Sequence, residues 1–171
     1  VSGSERLAMA PISERIRLVE AVRQNVVRVS REWVECSAAT KQAEPTDQLR
    51  SEEIFSGPVV TTRYLRLLGR TLAEIGRSGR PRIRGRLRRG TDGRLLVPVA
   101  PVTGLFDRLV FRGFSAHARM RHGITPATLP QHTACCYQQT ATDHAPAVTL
   151  VLGAGNITSV PVLDACDHIF A

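Results

Sequence analysis

Lysine is almost missing from this chain. Lys41 stands alone among 23 basic residues, and the other 22 are arginines. The net charge of +8 would ordinarily point to nucleic acid or an anionic membrane as partner. An arginine skew with abundant alanine is also what a GC-rich coding sequence produces, so the charge is discounted as a functional signal. Aromatic residues make up only 5% of the chain, and single-strand nucleic-acid binders need stacking platforms. No apolar run approaches the ~20 residues that cross a bilayer, and Val1–Pro11 lacks the basic-then-apolar order of a secretory signal. A cytoplasmic protein with no membrane partner is the expectation.

Cysteine is sparse too. Cys36, Cys135, Cys136 and Cys166 form no regular framework and no C-x-x-C pair, which argues against disulfides and structural zinc. His132, Cys135, Cys136 and His144 cluster, and Cys166 and His168 lie further on. Adjacent cysteines rarely both ligate one ion, so no metal site is expected. A Cys–His nucleophile pair stays open, because nothing in the sequence sets an imidazole beside a particular thiol. His117 and His122 flank a basic stretch and read as surface residues.

Hydrophobic content of 43% and charged content of 22% describe a globular chain able to bury a core. Pro11 opens a first helix, where Ile12, Ile16, Val19, Val22, Val26, Val29 and Trp33 recur at steps of three and four. Glu20 with Arg23, Arg28 with Glu32 and Arg31 with Glu35 have the spacing of surface ion pairs. Ala43–Ser51, with Pro45, reads as a connection. A second helix is expected from Ser56-Gly57-Pro58, with Tyr64, Leu65, Leu68, Leu72 and Ile75 on its apolar face and Gly76 and Gly79 at its end. Arg63, Arg66 and Arg70 share the opposite, solvated face.

Arginines alternate at 82, 84, 86 and 88, which would put them on one face of a strand. The turn signal Gly90-Thr-Asp-Gly93 follows, and Leu95–Val99 returns as a second strand. Pro98 cannot donate to a ladder, so this strand is expected at an edge or at its end. Leu105–Met120 reads as a helix followed by a short extended piece. Gly123-Ile-Thr-Pro126 punctuates the chain, a short helix is expected over Leu129–Gln139, and Thr142–Pro146 is a loop.

The chain is organised around 147–161. Val148–Leu152 is a short apolar run rich in branched side chains, as in a buried strand of a parallel sheet. It breaks into Gly153-Ala154-Gly155-Asn156, and 161–170 has apolar residues at helical spacing. Strand, glycine turn and helix make the first half of a mononucleotide-binding unit. A full dinucleotide fingerprint has a small residue where Thr158 stands, and an acidic residue about 20 residues later that this sequence does not show.

Val151-Leu-Gly-Ala-Gly-Asn-Ile-Thr-Ser-Val-Pro161, with Leu163-Asp164 and Ile169-Phe170 after it, resembles a branch of the aldehyde dehydrogenase superfamily that includes acyl-CoA reductases. Glu52-Glu-Ile-Phe-Ser-Gly-Pro-Val-Val-Thr-Thr-Arg-Tyr-Leu-Arg-Leu-Leu68 resembles the same branch. So does Phe106-Asp-Arg-Leu-Val-Phe-Arg-Gly-Phe-Ser-Ala116, preceded by Asp92-Gly93-Arg94. The similarity covers most of the chain but only the N-terminal portion of such an enzyme. It implies an α/β fold in which residues 1–145 form N-terminal helices with a β-hairpin arm at about 80–100. Residues 146–171 then form the first strand–turn–helix of a truncated Rossmann-like cofactor domain.

By the same resemblance Asn156 helps hold the oxyanion of a thiohemiacetal, and Gly153, Ala154 and Gly155 belong to the NAD or NADP site. The aromatic residue and proline that flank this asparagine in ordinary aldehyde dehydrogenases are not present. The family's cysteine nucleophile and glutamate base lie past the matched segments, so Cys135, Cys136 and Cys166 do not take those roles. The isolated chain is therefore expected to be inactive and to bind no cofactor, with Val148–Leu152 loosely ordered or docked on another chain. Its arm would serve a homo-oligomer or a companion chain. Two rival readings stand beside this one: a basic nucleic-acid-binding module using the arginine-rich hairpin, and an interaction protein that completes a partner.

Overall fold

The structure, a computed structural model, describes residues 3–42, 44–102, 104–134, 148–153 and 155–170. It is mixed α/β and mostly helical, with one three-stranded antiparallel sheet. Two compact units divide the chain: Val1–Arg77 with Gln139–Ala171, and Ser78–Gln138. Residues 139–171 thus group with the N-terminal helices. Among the described residues, no helix is long and apolar enough to cross a membrane.

The first unit is built on α2 (Ile12–Lys41), with the short α1 (Gly3–Ala8) before it. The three-and-four spacing acts as expected: Val19 and Val26 are buried, continued by Val34 and Ala38, while Val29 at the margin of the stripe is exposed. Glu20 and Arg23 form the predicted surface pair at 2.6 Å. Glu35 pairs across to Arg50 at 3.2 Å, a partner that single-helix spacing does not reveal.

The expectation of a connection over Ala43–Ser51 fails from Asp47 onward. The helix α3 (Asp47–Ile54) starts there, because the Thr46 hydroxyl accepts from the Leu49 N–H at 3.2 Å and caps it. Nor does Pro58 open a new helix. It sits inside a π-helical turn, Phe55–Val59, that links α3 to α4 (Val60–Ser78). Proline has no N–H to bond to the carbonyl of Ile54, and its ring would strike that oxygen. Widening the helix by one residue relieves both. The apolar face of α4 is as expected, with Leu65, Leu72 and Ile75 buried. Gly79, at φ +73°, ends the helix in the left-handed conformation that glycine adopts without strain.

In the second unit, β1 is only Arg88–Arg89, and residues 80–87 are not strand. The alternation of arginines therefore does not make one long face. Gly85 at φ +81° breaks the extended path, and a Cβ there would lie 2.6 Å from Pro98 Cγ. The Gly90–Gly93 turn forms as read, with Gly93 N–H donating to Gly90 O at 2.9 Å. It leads into β2 (Leu95–Ala100), which pairs with β1 on one side and with β3 (Ala116–Arg119) on the other. Thus β2 is central, and the edge expectation fails. Pro98 is tolerated because β1 reaches only Leu95 and Leu96, and the β3 register shifts between Pro98 and Ala100. The helix α5 (Leu105–Val110) precedes β3, and one 3₁₀ turn follows at Leu129–His132. The helix expected over Leu129–Gln139 stops at His132, because Thr133 is extended (φ −121°, ψ 141°) and Ala134 turns to φ +55°. Residues 135–139 and the Thr142–Pro146 loop lie outside the described residues.

Val148–Leu152 is the sharpest departure from its composition. Val148, Leu150 and Leu152 are 102%, 79% and 80% exposed, and no ladder partner exists for the segment among the described residues. An apolar segment becomes a buried strand only where neighbours satisfy its backbone and cover its faces. Its amides are expected to exchange with solvent in the fastest class, while those around Leu65 and Leu72 in α4 stay protected. Amide hydrogen exchange read by mass spectrometry checks this, and slow exchange across 148–152 in a proven monomer would contradict it.

Candidate functional site

The site is the glycine turn that feeds α6 (Ser159–Phe170). Gly155 adopts φ +77°, a conformation that costs a side-chain-bearing residue roughly 1 kcal/mol or more. Gly153 is close-packed instead: a Cβ there would lie 2.9 Å from Pro161 Cγ and 3.2 Å from its Cβ. Its missing side chain lets the turn fold back on the first turn of α6. Ala154 lies outside the described residues, as do Cys135, Cys136 and His144.

Asn156 is exposed, and its Oδ1 accepts from the N–H of Ile157 at 3.1 Å. This local bond fixes the carboxamide plane. The Nδ2 amide has no hydrogen-bond partner among the described residues, so it remains a donor for an external oxygen. The main chain of Gly153 and Gly155 is exposed beside it. The structure thus brings Gly153, Gly155 and Asn156 together at one solvent-facing turn.

Thr158, the residue that departs from the dinucleotide fingerprint, has work of its own. Its Oγ1 accepts from Trp33 Nε1–H at 2.8 Å and from the Ser37 hydroxyl at 3.4 Å. Gly57 makes room for this meeting, since a Cβ there would lie 3.4 Å from Trp33 Nε1 and 3.5 Å from Thr158 Oγ1. Two further ties hold α6. The Tyr64 hydroxyl donates to Asp167 Oδ1. At the other end the Arg15 guanidinium donates to the Ile169 carbonyl at 3.2 Å and to Leu7 O at 2.9 Å, placing a cation at the negative pole of the helix. Sequence reasoning missed all three ties, because they join residues more than 100 positions apart and no periodicity reports them. The turn is therefore mounted on a braced helix, while the segment leading into it is bare.

The end of α2 and α3 share a buried ion pair. Glu53 is 0% exposed and its Oε1 accepts from Lys41 Nζ at 2.5 Å. Glu53 Oε2, Ser56 Oγ and Thr61 Oγ1 are buried without a hydrogen-bond partner among the described residues. A carboxylate so placed is held by one cation, and the consequence is developed in the Discussion.

Other sequence-named groups stay apart. Cys166 is buried in α6, and burial, with the Asp167 carboxylate adding to it, pushes its thiol above the ordinary range. Such a thiol is a poor nucleophile. His122 is a surface residue whose Nε2 accepts from Arg94 Nε at 2.9 Å, and His117 is exposed on β3. Among the described residues, no group of three or more His, Cys, Asp or Glu could hold a metal ion. No protein-family model matches the chain, and neither the curated proteins nor the solved structures contain a match to it.

Proposed function

We propose that this chain supplies the support helices and the opening strand–turn–helix of an NAD(P)-dependent aldehyde or acyl-CoA oxidoreductase. The observation that carries the reading is the bare apolar segment Val148–Leu152 running through Gly155, at φ +77°, into the braced helix α6. A segment of this composition, exposed in water, is suited to becoming one strand of a parallel sheet once neighbouring strands are supplied. Asn156 then stands at the end of that strand, where ligands bind in open α/β folds.

The residues present fit a cofactor's phosphates in part. An exposed main chain without side chains at Gly153 and Gly155, at the start of a helix, is open to close approach by an anion. When bound, a nicotinamide cofactor would carry the hydride, taking it up in aldehyde oxidation and delivering it in acyl-CoA reduction. This chain's own contribution is the Asn156 N–H donor, offered to an oxygen that gains negative charge as a thiol adds to a carbonyl. Thr158 positions that donor by tying the turn to Trp33.

The test is NAD(P)H formation from NAD(P)+ on adding aldehydes, and NAD(P)H consumption on adding acyl-CoA thioesters. It is run on the isolated chain and on the protein purified from its natural source with whatever accompanies it. Turnover is expected only in the second sample, since the residues here that match the family's motif include the oxyanion donor but neither nucleophile nor base. Absence of turnover in the natural preparation with every thioester and aldehyde tried would end the reading.

A further inference from the structure

We infer that the unit Ser78–Gln138 docks on an anionic phospholipid surface, through the outer face of α5 and the arginines around it. The inference is independent of the oxidoreductase reading. It starts from where the acids are. Eleven of the 22 arginines lie in this unit and eleven in the other, although this unit is little more than half as long. Arginine is thus nearly twice as dense here as in the other unit, where a uniform coding bias would give equal density. Acidic residues are skewed the other way. Asp92 and Asp107 are the two in Ser78–Gln138, and the other 13 of 15 lie in the helical unit. Coding bias toward arginine does not explain that depletion, and it puts the chain's positive charge in one place.

Both acids are also spent internally. Asp92 Oδ2 takes Arg119 Nη2 at 2.8 Å and Arg94 Nε at 3.3 Å. Burial alone would raise its carboxyl, but the Arg94 backbone N–H and the Arg119 guanidinium outweigh it and hold the group below the usual range. Asp107 is 1% exposed. The outer surface of this unit is therefore decorated by arginine with almost no acid to balance it.

The orientation of α5 supplies the second half of the argument. In water a short surface helix turns its apolar side inward. Here Asp107 is buried while Leu105, Leu109 and Val110 are 82%, 71% and 50% exposed, and Phe114 just past the helix is 62% exposed. Residues 105, 108 and 109 share one side of α5, so the bare leucines stand beside Arg108, and Arg112 follows in the turn just past the helix. Aliphatic tips flanked by guanidinium groups match the boundary between acyl chains and phosphates in an anionic leaflet. Arginine suits the phosphates through its bidentate fork. Nucleic acid would use the charge but leave Leu105 and Leu109 in water, so lipid accounts for more of what is seen.

Flotation of the full chain with phosphatidylcholine vesicles, and with phosphatidylcholine and phosphatidylglycerol in equal parts, tests the inference. The chain should float with the anionic vesicles only. The double variant Arg108→Gln/Arg112→Gln should bind them about thirtyfold more weakly. Leu105→Ser/Leu109→Ser, at exposed positions, should lose at least about tenfold by forfeiting apolar insertion. Three results would overturn it: equal flotation with both vesicles, an unaffected leucine double variant, or retention by duplex DNA with none by the anionic vesicles.

Discussion

Replacing Lys41 by alanine is expected to destabilise the helical unit by about 3–5 kcal/mol, because it leaves a charge buried without a counter-ion. The asymmetry of the pair decides the size. The Lys41 side chain is 23% exposed, whereas that of Glu53 is 0% exposed. The lysine can reach water and the carboxylate cannot. An exposed pair such as Arg50–Asp47, whose aspartate is fully exposed, is screened by water, and its loss should scarcely register. Glu53 has one further disadvantage, in that its second oxygen lacks a hydrogen-bond partner among the described residues. The double variant Lys41→Met/Glu53→Met removes both charges and keeps the volume, so it should recover most of the loss or exceed the parent. Urea unfolding followed by circular dichroism, with an unchanged slope, measures all three proteins. A Lys41→Ala midpoint close to the parent's would show that Glu53 is satisfied without the lysine.

Much of the framework is legible in the sequence, and the parts that are not share a cause. Val19, Val26, Leu65 and Leu72 are buried where three-and-four spacing puts them, because a helix that must hide one face writes its period into the chain. The Gly90–Gly93 turn is local and reads equally well. What escapes is whatever depends on a distant neighbour. Pro58 looks like a helix start because its effect on the preceding carbonyl is invisible until α3 is known to run into it. Pro98 looks like an edge residue because the short reach of β1 is a tertiary fact. At the site, Gly153, Gly155 and Asn156 are found by motif, and the structure does bring them to one exposed turn. Thr158 reads only as a departure from the fingerprint, and its bond to Trp33 shows that the position serves bracing. Lys41 reads in the sequence only as the exception to an arginine skew, and its pairing with buried Glu53 is one more tertiary fact.

On the oxidoreductase function proposed above, changing Asn156 to alanine in a preparation that turns over is expected to lower kcat by about 10²–10³ with little effect on KM. The carbonyl oxygen becomes a strong acceptor only as the nucleophile adds to it, so a donor aimed at that oxygen acts on the transition state and not on ground-state binding. Asn156 is suited to this because the Ile157 N–H, donating to Oδ1 at 3.1 Å, sets the carboxamide before substrate arrives. A donor oriented in advance has no reorganisation to undergo at the moment of reaction. Asn156→Asp separates this role from a purely structural one. The aspartate keeps the acceptor for Ile157 and nearly the same shape, so the turn is preserved. It lacks the donor and adds a negative charge where another is forming, and kcat should fall at least as far as in the alanine variant. Both substitutions are at an exposed position, so stability should move by no more than about 0.5 kcal/mol, and thermal unfolding checks that the loss is kinetic. If Asn156→Asp retains turnover within about tenfold of the parent, the residue supports the turn and gives no hydrogen bond to the reacting oxygen.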